Sequence, residues 1–279
     1  MSDRAAIKPL SPGLHVVATP IGNLGDMTRR AVEVLTHADL VLCEDTRVTG
    51  KLLSVLGIPK RPLLPYHEHN AEKVRPQILA KLEQGGAVAL VSDAGTPLIS
   101  DPGYRIVREA RDEGHKVFTV PGPSALTAAL SIAGAPTDRF SFFGFVPKGQ
   151  GQREKFLGEA LSRGETVVVY ETGPRLASTL QALGPVPVSI CRELTKLHEE
   201  VVEGTAAELA GRYAEAPPNG EIVLVIHPTE QAAPDLDEVL AELMADHSVR
   251  EASKLAAEIT GLPKKECYAR ALALRPSEG

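Results

Sequence analysis

Tryptophan is absent from this 279-residue chain, aromatic residues make up only 4% of it, and cysteine occurs three times. So few aromatics argue against base stacking on an aromatic platform as the main binding device. Cys43, Cys191 and Cys267 lie far apart and form no C-x-x-C pair, so neither a disulfide framework nor a structural zinc is expected, and a reducing, cytoplasmic setting is. The longest apolar runs, VVVY and IVLVI, fall far short of the ~18 residues that mark a membrane span. No membrane partner is expected. The opening MSDRAAIKPLSP has no apolar segment of the secretory kind. Positive charge is also in short supply, with 30 Lys and Arg against 36 Asp and Glu for a net charge of −6.

An acidic mean can hide a basic patch. TRVTGKLLSVLGIPKRP, residues 46–62, carries Arg47, Lys51, Lys60 and Arg61 and no acid. PKGQGQREK, residues 147–155, nets +2. At 43% hydrophobic and 24% charged, the whole is otherwise an ordinary globular chain, long enough for two domains.

Two stretches alternate apolar strands with helical patterns. The first runs HVVATP, a helix from about Met27 to Thr36, DLVLCED, a helix around VTGKLLSVLG, AVALVSD, the helix PGYRIVREARDEG, and KVFTVPGPS. Strand-helix repetition of this kind predicts a mostly parallel sheet covered on both faces. VPGPS, residues 120–124, punctuates the chain. The second stretch gives the helix ALTAALSIAG, RFSFFGFV, REKFLGEALSRG, TVVVYET, RLASTLQALG, VPVSICRELT, an amphipathic EVVEGTAAELAGRYAE, and EIVLVIHP, with strand direction left open. The boundaries follow as an α/β domain at 13–121, a second α/β domain at 122–229 and a helical tail at 234–279. TEQAAPD reads as the linker before the tail. In the tail LDEVLAELMADH, VREASKLAAEITG and KKECYARALALR each space apolar residues at helical steps, and the last two, separated by GLP, resemble a helix-turn-helix unit. From Ser248 to Arg275 six basic residues face three acids, so Lys264 and Lys265 are candidates for RNA contact. A helical hairpin that merely closes the fold is an equal reading.

Several motifs sit where ligands gather in α/β sheets, just past the carboxyl ends of strands. The thirteen residues VSDAGTPLISDPG, 91–103, form a long strand-to-helix connection where about 2–6 residues are usual. Gly95, Pro97, Pro102 and Gly103 break regular structure, while Asp93, Ser100 and Asp101 offer oxygens to a turn or a ligand. TPIGNLGD follows the first strand, and Gly22 and Gly25 permit close backbone approach, with Asp26 or Thr28 to cap the next helix. CEDTR, residues 43–47, ends the second strand and reads by itself as a hydrogen-bonded structural cluster. In YHEHN, His67 and His69 are two apart in a loop with no third ligand by spacing, so no metal is expected. FFGFV, residues 142–146, reads as a buried strand. CRELTKLHEE, residues 191–200, reads equally as solvated helix charge or as a site at a strand end.

TPIGNLGD, CEDTR, SDAGTPLISDPG, PGPSA, FFGF, YET, RELTK and NGEIVLVI occur in that order, and together they resemble the tetrapyrrole methylase superfamily. SDAGTPLISDPG with CRELTK is similar to its ribosomal branch, which methylates the ribose 2′-hydroxyl of a cytidine in 16S rRNA. The resemblance spans the chain from about His15 into the tail. It implies two α/β domains with S-adenosylmethionine in the cleft between them, a homodimer, and 16S rRNA, free or in the small subunit, as partner. Asp93, Ala94, Gly95, Pro97, Ile99 and Ser100 would lie nearest the cofactor, joined by Pro20, Ser124 and Ala125. From the second domain Tyr170, Leu194, Gly220 and Glu221 would close over the adenosine. Tetrapyrrole enzymes carry a first loop similar to G-x-G-x-G-D, and the T-P-I-G-N-L-G-D here argues for a different acceptor. A neutral 2′-hydroxyl is a poor nucleophile. Lys196 or Glu193 is the candidate base, since a desolvated lysine loses its proton near neutral pH, and Asp45 is a further candidate. A tetrapyrrole acceptor and a non-catalytic nucleic-acid-binding regulator are the alternatives. The basic stretch 46–62 speaks against the first, and the second leaves the loop 91–103 without a task.

Overall fold

The computed structural model describes residues 10–229 and 236–274. One compact unit runs to His227 and a second begins at Pro228. Most of TEQAAPD and Arg275 lie outside the described residues.

In the first unit, β1 (Gly13–Val17) leads through a 3-10 turn at Leu24–Asp26 into α1 (Arg29–His37). Thr28 is the cap, its hydroxyl accepting from the Ala31 N–H at 3.1 Å. There follow β2 (Leu40–Cys43), α2 (Thr46–Val55), β3 (Leu63–Pro65), α3 (Ala71–Glu83), β4 (Ala87–Leu90), α4 (Tyr104–Asp112) and β5 (Val117–Val120). The sheet order is β3-β2-β4-β1-β5 and every pairing is parallel. Side chains alternate along each strand, so Val17, Val41 and Ala89 bury against α1 on one face. Leu14, Leu42 and Val88 bury against α3 and α4 on the other. Burial on both faces is what makes these strands read as unbroken apolar runs. The periodic reading passed over β3 and α3, because three-residue LLP is too short to show alternation and Pro76 inside AEKVRPQILAKLE reads as a breaker.

The chain continues with α5 (Ala125–Ile132), β6 (Phe140–Phe145), α6 (Gln150–Leu161), β7 (Thr166–Thr172), α7 (Gly173–Leu183), β8 (Pro187–Arg192), β9 (Glu200–Thr205), α8 (Ala206–Glu215) and β10 (Glu221–Ile226). Order β6-β7-β10-β8-β9 gives a mixed sheet in which β6 and β7 are parallel and the other neighbours antiparallel. Two expectations are corrected here. EVVEGTAAELAGRYAE is not one amphipathic segment, since its first six residues pair with β8 as β9. Val201 and Val202 favour the strand, and the helix starts only where Thr205 and Glu208 cap each other reciprocally. FFGFV is not a buried strand. It is part of an edge strand with Phe145 48% exposed, turned by a bulge at Gly144, whose φ of +71° suits a residue without Cβ.

The second unit contains α9 (Leu236–Asp246), α10 (Val249–Thr260) and α11 (Lys264–Ala273), packed around Leu240, Ala256, Cys267 and Ala271. Gly261, left-handed at φ +71°, closes α10. No helix among the described residues is long and apolar enough to cross a membrane.

Candidate active site

The two sheets of the first unit present strand ends to one cavity of about 420 Å³, within the range of small-molecule sites. From the first sheet come Glu44 after β2, the loop that follows β4, and Ser124 and Ala125 after β5. From the second come Phe145 at the end of β6, Tyr170 on β7, Cys191 on β8 with Glu193, Leu194 and Lys196 after it, and Glu221 to Val223 at the start of β10.

The loop after β4 is pinned rather than slack. Thr19 and Gly95 exchange backbone hydrogen bonds at 2.8 and 3.1 Å, and the Thr96 hydroxyl donates to the Pro123 carbonyl at 2.9 Å. Gly95 has φ +79°, and a Cβ there would stand 3.2 Å from Ile21 Cγ2. The facing loop after β8 is braced differently. Lys196 Nζ donates to Glu193 Oε1 at 2.9 Å, and the Thr195 N–H donates to Glu199 Oε2 at 2.6 Å. A Cβ on Gly22 would lie 2.5 Å from Lys196 Cγ, and one on Gly220 2.7 Å from Glu193 Oε1. Two glycines thus make room for the brace from opposite sides. Among the described residues every non-glycine with left-handed backbone sits in these two loops: Leu98, Ser100, Glu193 and Thr195, with φ from +52° to +73°. Such conformations cost on the order of 1–3 kcal/mol each and concentrate at functional sites.

Of the residues the resemblance placed near a cofactor, Asp93, Ala94, Gly95, Ile99, Ser100, Ser124, Ala125, Tyr170, Leu194 and Glu221 line the cavity. Pro20, Pro97 and Gly220 do not reach its wall; Pro97 is buried in the loop and Gly220 carries the turn before β10. Lys196 and Glu193 line it as an ion pair. Lys196 is 42% exposed, so it is not a desolvated lysine of the kind a base requires. Asp45 is no base in this geometry. It caps α2 and pairs with Arg47 at 2.6 Å, and the Arg47 hydrogen bonds hold its carboxyl down at about 2. Arg47 and Lys51 are exposed one turn apart on α2, which leaves β2 beside the cavity, and Lys60 is exposed beyond its end, with Arg61 half-buried next to it. Lys264 and Lys265 are exposed in the first turn of α11, in the second unit.

Sequence reasoning left Glu44 inside a structural cluster and gave Asp101 only as an oxygen for a turn or a ligand, without placing either near the cofactor. Burial raises Glu44, with Asp93 adding to the effect and His67 opposing it. Burial also pushes Asp101 up to about 6, against a hydrogen bond from Ser92 and with Glu44, Asp93 and Glu221 adding. Phe145 was missed because the bulge that turns it is invisible to a period-two reading. It meets Tyr170 edge to face at 5.3 Å, and burial pushes Tyr170 up to about 12. Five acids and one lysine line the cavity, so it suits a ligand with a cationic centre.

Two α/β sheets that close strand ends over one acidic cavity, with a separate helical unit behind them in the chain, define the class as an α/β ligand-cleft protein of methylase type. The chain belongs to the family described as Tetrapyrrole (Corrin/Porphyrin) Methylases, whose model matches residues 13–210. Residues 230–275 match the RsmI C-terminal HTH domain. A protein of Mesorhizobium japonicum named ribosomal RNA small subunit methyltransferase I is 47% identical, covering 98% of this chain and 95% of its own. One of the same name in Escherichia coli O157:H7 is 43% identical, covering 93% and 94%. A third, from Thermotoga maritima, is 45% identical over 97% of its own length but only 76% of this chain. Among solved structures, a diphthine synthase superposes with TM-score 0.61 at 16% identity, covering 77% of this chain and 89% of its own. A uroporphyrin-III C-methyltransferase from Thermus thermophilus, complexed with S-adenosylhomocysteine, gives 0.51 at 22%, covering 77% and 97%.

Proposed function

We propose that this chain methylates the ribose 2′-hydroxyl of a cytidine in 16S rRNA, with S-adenosylmethionine as donor. The observation that carries the reading is near-full-length likeness to relatives that bear a ribosomal RNA small-subunit methyltransferase name. The cavity fits the donor. Its acids complement a sulfonium and an ammonium, Ile21, Ile99, Leu194 and Val223 offer apolar walls, and Gly95, left-handed at φ +79°, presents backbone to the cavity. A tetrapyrrole acceptor is disfavoured, because its carboxylates would face five acids. In this reading residues 13–121 and 122–229 act as two lobes, 234–279 as an RNA-contacting tail, and the protein works as a cytoplasmic homodimer.

The cofactor supplies an already activated methyl group, so the chain has to align, exclude water and move one proton. The pinned loop, with Asp93, Ala94, Gly95, Ile99 and Ser100, holds the donor from one side. Leu194, Tyr170 and Glu221 close from the other. Alignment of this kind contributes up to roughly 7–11 kcal/mol. The Lys196–Glu193 pair fixes the second loop against Gly22 and offers an ammonium at the cleft, where an RNA phosphate arrives. Arg47, Lys51, Lys60 and Arg61 extend that positive surface along and beyond α2. Mapping 2′-O-methylation in rRNA from a strain lacking this protein, and restoring it with purified protein, tests the reading. A strain with an unchanged methylation map overturns it.

A further inference from the structure

One side chain of the cleft stands against the ordinary logic of its strand. In β6, Phe142 packs toward Tyr170 in the cluster of Val168 and Val223, while Phe143 packs into the opposite cluster with Leu157 and Leu176. Simple alternation would carry Phe145 to the face of Phe143. The bulge between Phe142 and Gly144 reverses that parity. Val146 takes the buried position in the cluster of Phe143, and Phe145 stands on the face of Tyr170, 48% exposed at the cavity. A large hydrophobe that regular pairing would bury is thus held half in water at a ligand site. A Cβ on Gly144 would lie 3.3 Å from Ser100 Oγ, so β6 meets the loop after β4 at this point. A buried ion pair fixes the chain just beyond. Glu171, 0% exposed, accepts from the Thr172 N–H at 2.7 Å, the Thr179 hydroxyl at 2.6 Å and Arg175 at 3.2 Å. The same guanidinium also donates to the carbonyls of Val146 and Pro147, the two that follow Phe145. Exposed Lys148 comes next, opening the basic part of the stretch 147–155.

Given the proposed methyl transfer, on which this rests, we infer that Phe145 is the ring against which the base of the target cytidine stacks, and that Arg175 with Glu171 is the positioning pair that keeps it there. A ribose enters a cavity of about 420 Å³ only after its nucleotide has left the helix, and the base then needs a surface in place of the neighbours it has lost. Of the two aromatic residues that line the cavity, Tyr170 is half-buried between Phe142 and Phe145, at 4.9 and 5.3 Å. Phe145 is the one left open. Every base has a π face, so a stack of this kind locates the base without reading it. One ring serves one base, which a chain so poor in aromatics can supply.

The test compares methyl transfer to small-subunit RNA carrying the target cytidine with transfer to the same RNA bearing a base-free ribose at that position, while calorimetry reads S-adenosylmethionine affinity. On cytidine RNA, Phe145→Ala should raise the KM for RNA by ~5–150-fold, the range alanine substitution gives for a stacking aromatic, and leave donor affinity nearly unchanged. On base-free RNA it should match wild type, because the partner of the ring is gone. Phe145→Tyr should keep the wild-type KM. Arg175→Met combined with Glu171→Gln, which leaves no buried charge unpaired, should raise KM in the same direction and add little to Phe145→Ala. Arg175→Lys should recover part of that loss. A Phe145→Ala protein with wild-type KM on cytidine RNA, or one that loses as much on base-free RNA, overturns the assignment and leaves the rRNA reading standing. An equal fall in donor affinity overturns it too, by giving the ring to the donor. Wild-type protein that transfers no methyl to any rRNA overturns both. Should Phe145→Ala fail to fold, Phe145→Leu keeps apolar bulk without a ring, and a wild-type KM for that variant on cytidine RNA overturns the assignment.

Discussion

In the first sheet all five strands point one way, and each carboxyl end near the centre delivers a crossover loop to the cleft. In the second sheet β6 and β7 run parallel and the other neighbours antiparallel, and the cleft is met by the ends of β6, β7 and β8 and by the start of β10. The consequence shows in the two loops that face each other. The loop after β4 is held to the segments that follow β1 and β5, by paired backbone bonds at Thr19 and by the Thr96 hydroxyl on the Pro123 carbonyl, so its shape is part of the fold. The loop after β8 is held by side chains, Lys196 to Glu193 and Glu199 to Thr195, over two glycines. One loop is built in; the other is clipped shut.

The largest effect should therefore follow from breaking the built-in loop. Gly95→Val places a β-branched residue at φ +79°, with its Cβ 3.2 Å from Ile21 Cγ2. Left-handed backbone alone costs roughly 1–2 kcal/mol. Both the melting temperature and cofactor affinity should fall, the latter by more than tenfold, whereas Asp93→Ala forfeits one hydrogen bond of about 1 kcal/mol and should lower affinity with little change in melting. Full affinity in both variants would mean that the loop shapes the fold and touches no ligand.

Next in size is the RNA surface. Replacing Arg47, Lys51, Lys60 and Arg61 together should weaken RNA binding and flatten its salt dependence, by about 0.7 in log-log slope for each single-strand phosphate left without its cation. A slope unchanged within error moves the RNA surface to Lys264 and Lys265.

The clipped loop should respond more mildly. The Lys196–Glu193 pair is partly exposed, and such pairs are worth ~0–1 kcal/mol. Lys196→Met should then slow methyl transfer by about tenfold or less, with cofactor affinity kept. Gly22→Ala should slow it too, by displacing the lysine that its Cβ would meet at 2.5 Å. The double variant should be no worse than either single one, because the effects of touching residues do not add. Strict additivity would separate the two loops energetically.

How far the sequence foretold all this differs between the sheets for a physical reason. Parallel strands buried on both faces read as apolar runs, and helices between them as periodic segments, so the first sheet was legible apart from short β3 and Pro76-bearing α3. The second sheet depends on a hairpin, an edge bulge and a capping box at Thr205, where local chemistry overrides periodicity. Within the site, motif resemblance brought most cavity residues together. Asp45 was misjudged as a base because a sequence cannot show that Arg47, two residues on, would fold back onto it. Asp101 was left open between a turn and a ligand for the converse reason, since its partial burial and its ring of acids exist only once β2, β4 and β10 meet.

A half-buried acid that lacks a cation should also leave a mark on stability. Asp101 has its folded-state value raised, to about 6 against an ordinary 3.8. Between those values the folded protein binds more protons than the unfolded chain, so stability falls as pH rises through the window. Well below it both states are protonated and the residue contributes nothing. Asp101→Asn should accordingly raise the melting temperature at neutral pH and leave it unchanged in strong acid. Equal melting at all pH values would mean that the carboxyl is better solvated than its surroundings suggest.

The smallest effect concerns the helical unit, and it contrasts the tail with both sheets. Among the described residues its fully buried core cluster is Leu240, Ala256, Cys267 and Ala271, with Leu236, Val239, Leu243 and Leu262 only partly buried around it. So little buried surface leaves local chemistry to decide whether the helices hold. Ser248 and Glu251 form a reciprocal cap at the start of α10, with the Glu251 N–H donating to the Ser248 hydroxyl and the Ser248 N–H to the Glu251 carboxylate, both at 3.3 Å. Ser248→Ala should cost about 1 kcal/mol. In the sheets such a loss would be diluted by dozens of buried side chains. In the tail it should appear as an earlier, separate melting step, read by hydrogen exchange at α10 and α11 while exchange at β1 and β4 stays unchanged. The cavity is lined by residues of the first unit, so the variant should still bind S-adenosylmethionine with wild-type affinity. A fall in RNA affinity alone would give the tail its role in holding the acceptor, whereas melting of both units together would show that the tail is a structural part of the methylase body.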